Sequence, residues 1–238
     1  MGIDTAEHLA HAAELDARDE EVARQLETIR GLGDAAGAIR ARAAEIREAI
    51  ERIPAERAEI GARRRVTEVE AEAARVELRV AEARVVELEA KRRKADELDR
   101  ARREAATARD QLADAEAQLA RLEALEADLR TSELALRQKG NELARSATHV
   151  AAEIRSTPRV TESAGDDPGA ALDEVEEWGA RVRSALFVAR GTLETERERI
   201  VAEANALGTA VLGESLGASS VHVVRRRLEQ HLAGSDDH

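Results

Sequence analysis

The sequence predicts an all-α protein: a long coiled-coil rod with antiparallel helical hairpins at its ends. Composition is the first reason. Of 238 residues 43% are hydrophobic and 36% charged, yet only Trp178 and Phe187 are aromatic, so the apolar fraction is mostly Ala, Leu, Val and Ile. The second is that proline occurs only three times and cysteine not at all. The third is an apolar repeat at 3,4 spacing sustained from Leu98 to Ile154. Together these exclude a β-sandwich, a doubly wound α/β domain and a disulfide scaffold.

Residues 1–61 read as an N-terminal helical hairpin. Its first helix spans Asp4 to Arg30, with Val22, Leu26 and Ile29 in frame. Asp4 or Thr5 serves as N-cap, and Glu7 is placed to complete a capping box with Asp4. Gly31, Gly33 and Gly37 follow, and beyond them Ile39, Ala43, Ile46, Ile50, Ile53 and Ile60 keep a different heptad phase. A phase change at clustered glycines, each costing about 1 kcal/mol in a helix interior, predicts a turn.

Residues 62–155 read as a long central coiled-coil helix, preceded by Pro54 and Gly61. No Gly, Pro or Asn occurs between Ala62 and Lys139. The helix should therefore run unbroken there for about 117 Å at ~1.5 Å per residue. Its first frame is Ala62, Val66, Val69, Ala73, Val76, Val80 and Ala83. Near Leu88–Leu98 the phase slips across Lys91-Arg92-Arg93-Lys94, which predicts a coiled-coil discontinuity, not a turn. The second frame is Leu98, Ala101, Ala105, Ala108, Leu112, Ala115, Leu119, Leu122, Glu126, Leu129, Glu133, Leu136, Gly140, Leu143, Ala147, Val150 and Ile154. Glu126 and Glu133 stand where apolar residues belong, which predicts local opening to water or a shift toward Leu125. The e positions Arg102, Arg109, Glu116, Glu123, Arg130 and Arg137 mix both signs and leave strand orientation open.

Residues 156–171, with Pro158, Gly165, Pro168 and Gly169, read as a flexible linker. Residues 172–207 resume a helix with one stripe: Leu172, Val175, Gly179, Val182, Leu186, Ala189, Leu193, Glu196, Ile200 and Leu207. One stripe needs a partner, and the nearest in phase is the 98–154 helix, reached by folding back. Residues 208–238 hold a Gly-rich segment and a short last helix, capped by Ser219 or Ser220 and carrying Val221, Val224, Leu228 and Leu232.

No catalytic, cofactor or metal site is predicted. Gly208–Ser215 has the spacing of a phosphate-binding loop, but Glu214 stands where the lysine must be and would repel phosphate. His8 and His11 share a helical face without further ligands. Carboxylates are abundant on any charged helix and imply no acid–base chemistry without a pocket. Trp178 and Phe187 are candidate partner anchors, because aromatic area is used nowhere else; the alternative, favoured for Trp178, is that it plugs the bundle formed as its helix folds back. Lys91, Arg92, Arg93 and Lys94 are a candidate anion contact. The segment 91–103 holds seven basic and three acidic residues.

In composition the rod resembles the coiled-coil class that includes the arms of SMC-type ATPases and phage-shock-protein-like membrane scaffolds, without sharing a motif. The sequence thus predicts a non-enzymatic coiled-coil scaffold or adaptor, cytoplasmic, binding itself as a homodimer or higher oligomer and an unidentified protein. The alternatives are a membrane-surface remodelling polymer and an accessory coiled coil of chromosome or DNA-processing machinery. A net charge of −12 argues against wrapping nucleic acid along the chain. The acidic N-terminus supplies neither a signal peptide nor a basic membrane-surface helix.

Overall fold

A computed structural model describes residues 2–91, 94–160, 162–213, 216–218 and 220–233. Among these the chain is all-α. It comprises α1 (Gly2–Ala90), α2 (Ala95–Ser156), α3 (Leu172–Leu212), α4 (Val221–Ala233) and a 3-10 turn at Glu162–Gly165. It divides into two compact units, one of Glu45–Gly140 and one that joins Met1–Ala44 to Asn141–His238.

The turn expected at Gly31–Gly37 is absent, because α1 continues through it. Ala12, Leu15, Val22, Ile29, Leu32, Ala36, Ile39 and Ala43 all belong to one core with residues of α2, α3 and α4. A helix with several neighbours buries a wide apolar stripe, so both heptad phases find contacts without a change of direction. Packing then outweighs the helix cost of the glycines. Pro54 likewise lies inside α1, and Asp4 and Thr5 fall within it instead of capping it.

The helix expected to run unbroken across 62–155 ends instead at Ala90 and restarts at Ala95. In an unbroken helix Lys91 and Lys94, three positions apart, would set like charges on one face, whereas Asp96 and Glu97 are well placed to open a new helix. Lys91 follows the negative end of the α1 dipole, while Asp96 and Glu97 occupy the first turn of α2 at its positive end.

Within the unit of residues 45–140, α1 and α2 run antiparallel. As α1 ascends through Arg57, Arg64, Arg75, Glu82, Arg84 and Glu89, its ion-pair partners on α2 descend through Glu133, Glu126, Glu116, Arg109, Glu104 and Arg102. Ile60, Arg64, Thr67, Ala71, Ala74, Leu78, Ala81, Val85 and Leu88 form the covered seam of α1. On α2 the seam is the frame read from sequence, and every member from Leu98 to Gly140 is buried or half-buried.

In the other unit, α3 runs antiparallel to the start of α1. Gly179 lies against Ala36 and Arg40, Leu186 near Gly33, Arg197 on Asp19, and Glu203 on His11. The folded-back helix is therefore covered by α1 as well as by Ala144, Ala147, Val150, Ala151 and Ile154 of α2. A Cβ on Gly179 would come within 2.9 Å of the Arg40 Cβ and 3.3 Å of the Ala36 carbonyl oxygen, so glycine sets how closely α1 and α3 approach. The Glu174 carboxylate accepts hydrogen bonds from the Ala170 and Ala171 backbone N–H groups, both at 3.1 Å, and closes the N-terminus of α3. At the other end α3 extends to Leu212, past Gly208, and stops at Gly213 in the left-handed conformation (φ 75°). Val221, Val224 and Leu228 seat α4 on this core. Asn205 pins the connection, donating to the Ala218 carbonyl and accepting from the Ala218 N–H, each at 2.9 Å.

Candidate interaction surfaces

The polar seam positions of α2 are satisfied from across the pair. Glu133 accepts from Arg57 of α1 at 2.6 Å and from Arg137 at 2.7 Å. Glu126 accepts from Arg130 at 2.6 Å, with Arg64 of α1 at 3.6 Å. The seam neither opens nor shifts toward Leu125, which is exposed. The guanidinium of Arg57, aided by the charge of Arg137, holds the Glu133 carboxyl below the ordinary value of 4.5. Four α2 e positions, Arg102, Arg109, Glu116 and Glu123, each meet an opposite charge on α1. Exposed pairs such as these contribute little individually. Their chemical role is to favour one register of two alanine-rich helices over its neighbours.

The first sequence frame of α1 faces outward. Val66 (59% exposed), Val69 (70%), Val76 (46%) and Val80 (65%) are all open to solvent, with Ala73 between them and Ala83 after them in the same frame. At 100° per residue this stripe lies about 160° around α1 from the covered seam. The seam facing α2 is instead the one carrying Thr67, Ala71 and Ala74. A second outward stripe, on α2, was not recognised from sequence: Ala113, Ala117, Ala120, Ala124, Ala127, Thr131 and Leu134, all exposed. The 4,3 spacing that could have found it is present, but alanine contrasts weakly with the polar residues around it.

The two aromatic residues part company. Trp178 is fully buried beside Gly179 in the core, where it fills the packing and presents no surface. Its indole N–H meets no acceptor among the described residues. Phe187 is 77% exposed, next to Val188 at 64%, on the rim of a groove formed by Gly33, Gly37, Arg30, Arg183 and Arg190. Of the basic run, Lys91 pairs with Glu87 and Lys94 is exposed, whereas Arg92 and Arg93 lie outside the described residues. Arg100 and Arg102 are engaged by Glu104 and Glu89.

The remaining sequence motifs do not converge. Gly208 sits inside α3, where a Cβ would come within 2.9 Å of Leu216 Cδ1 and 3.1 Å of Val224 Cγ1, so it serves helix packing. Glu214, Ser215 and Ser219 lie outside the described residues. His11 Nε2 faces Glu203 at 3.4 Å and His222 Nδ1 faces the buried Asp16 at 3.6 Å, on top of the 3.0 Å contact from Arg225 to that carboxylate. No family model, no curated protein and no solved structure matches this chain.

Proposed function

We propose that the protein is a non-enzymatic scaffold or adaptor, in which residues 45–140 form an antiparallel coiled-coil arm that mediates self-association and protein–protein contact. The observation that carries this reading is the doubled patterning of α1. One stripe is covered and held in register by ion pairs, while a second stripe of four valines in heptad spacing stays exposed. An ordered row of large apolar side chains on a charged helix favours association over solvation. Phe187 and Val188 add an apolar rim in the other unit. Light scattering on the purified protein tests the proposal. The expected mass is a multiple of 25.8 kDa, growing with concentration. A monomer throughout the micromolar range would overturn it.

One feature favours a second reading, contact of the hairpin turn with nucleic-acid phosphates. Lys94 lies between α1 and α2, ahead of the first turn of α2, and is exposed. Titration of duplex DNA at low salt decides it, with loss of binding on Lys94→Glu expected if the turn is the contact.

A further inference from the structure

We infer that the outer valine stripe of α1 is covered by the outer alanine stripe of α2 from a second copy, laid antiparallel, so that copies add side by side. The inference deepens the scaffold reading and rests on it. Two stripes of unequal bulk suit each other, because large side chains on one helix seat between small ones on the next. One antiparallel register sets six successive layers without a charged residue. They are Val66 with Leu134, Val69 with Thr131, Ala73 with Ala127, Val76 with Ala124, Val80 with Ala120, and Ala83 with Ala117.

Charge selects the same register. It places Glu72 opposite Arg130, Arg79 opposite Glu123, Glu77 opposite Arg121 and Arg84 opposite Asp114 along the two flanks. All eight of these side chains are on exposed positions. Like charges meet only toward one end, Glu70 with Asp128 and Arg65 with Arg137. Slipping one heptad in one direction brings Glu72 to Glu123, Arg65 to Arg130 and Glu77 to Asp114. Slipping the other way brings Arg79 to Arg130, Arg84 to Arg121 and Glu77 to Asp128. Pairing the valine stripe with itself, with Val69 stacked on Val80, sets Glu70 against Glu77 and Arg63 against Arg84. Like charges facing each other across a helix pair disfavour these arrangements. A parallel alternative with good charge matching puts Val66 against Asp110, which desolvates a carboxylate on an apolar side chain.

The two stripes are different surfaces, so the contact is heterologous: each copy that uses its valine face still offers its alanine face. Each face also lies roughly opposite the seam of its own helix, about 150–160° around at 100° per residue. Neighbours therefore attach on opposite flanks of the hairpin, and the product is an open row instead of a closed dimer.

The chain has no cysteine, which makes disulfide trapping clean. Val76→Cys and Ala124→Cys are made in separate chains, mixed and oxidised, with Val76→Cys mixed with Ala120→Cys as the comparison. The 76–124 link is expected to exceed both the 76–120 link and the self-links several-fold. Val80→Glu, at a solvent-exposed site, is expected to keep full helicity by circular dichroism and to lose the high-mass species. Oligomers linked mainly through 76–120 or 76–76, or oligomers unchanged by Val80→Glu, would overturn this geometry and leave the scaffold reading standing. A wild-type monomer at every concentration would overturn both.

Discussion

Arg57 on α1 donates to Glu133 on α2 across 2.6 Å, and Arg137 reaches the same carboxylate at 2.7 Å from one turn away. Two guanidiniums on one seam carboxylate lower its pKa, with the Arg57 hydrogen bond the leading cause. A depressed folded-state pKa contributes stability that is present above the unfolded value and lost as pH falls through the folded value. Stability should thus decline as pH drops below about 4.5, the ordinary value for this group. Denaturant titrations from pH 7 to pH 3 check this, and Glu133→Gln should flatten the acid limb.

Replacing both seam carboxylates by leucine should act in the opposite direction at neutral pH. Glu126→Leu with Glu133→Leu extends the apolar seam and should raise the melting temperature of the unit formed by residues 45–140. The same change removes polar layers that distinguish one register from its neighbours. Disulfides engineered at Ala74 and the α2 positions facing it should then form in more than one register.

The two aromatic residues make contrasting predictions. Trp178→Ala empties a fully buried site and should lose about 3–5 kcal/mol in urea unfolding. Phe187→Ala, at a site 77% exposed, should stay within about 0.5 kcal/mol of wild type. Trp178→Phe should be milder than its loss of volume suggests, because it also removes a buried donor that meets no acceptor among the described residues.

Glycines in α3 differ by what surrounds them. Gly179→Ala forces a Cβ to 2.9 Å from that of Arg40 and should destabilise by about 1–3 kcal/mol. Gly191→Ala, in the same helix with nothing within 4 Å of the added Cβ, should stabilise by about 0.5–1 kcal/mol through helix propensity. Urea unfolding of the pair reads both signs in one experiment.

The seat of α4 rests on a polar clamp as well as on the buried Val221, Val224 and Leu228. Asn205→Ala removes both hydrogen bonds to Ala218 and should cost about 1–3 kcal/mol. Asp16→Asn weakens the tie to Arg225, whose guanidinium is held charged first by Glu229 and then by Asp16. Amide exchange across residues 221–233 should quicken in both variants, more in Asn205→Ala.

Much of the helical structure was legible from spacing alone. The α2 seam from Leu98 to Ile154, the α3 stripe and the α4 residues Val221, Val224 and Leu228 are buried or half-buried as their periodicity implied. Two punctuation marks misled. Clustered glycines at 31–37 normally end a helix, but here tertiary contacts from several sides hold it. The run 91–94 contains no Gly, Pro or Asn, so nothing in the pattern marked the end of α1 at Ala90. The outward valines were visible as a frame, but a one-dimensional pattern does not say which of two stripes meets the neighbour. The covered stripe is the one from which Arg64 and Arg75 reach carboxylates of α2. Glu133 looked like a defect in the seam because its partner is 76 residues away in sequence.

The unit built from residues 45–140 is contiguous in sequence, whereas the other needs two segments that this stretch separates. The chain's topology therefore implies an order of assembly. Contacts between α1 and α2 in this unit are shortest in sequence near Ala90 and Ala95 and can zip outward from there, each new layer closing a loop already shortened by the last. The other unit joins residues 1–44 to 141–238, and contacts between those two parts must close a loop of the intervening residues. Substitutions along the 45–140 hairpin should for this reason slow refolding of the whole chain, while those at Trp178 or Ile200 chiefly hasten unfolding.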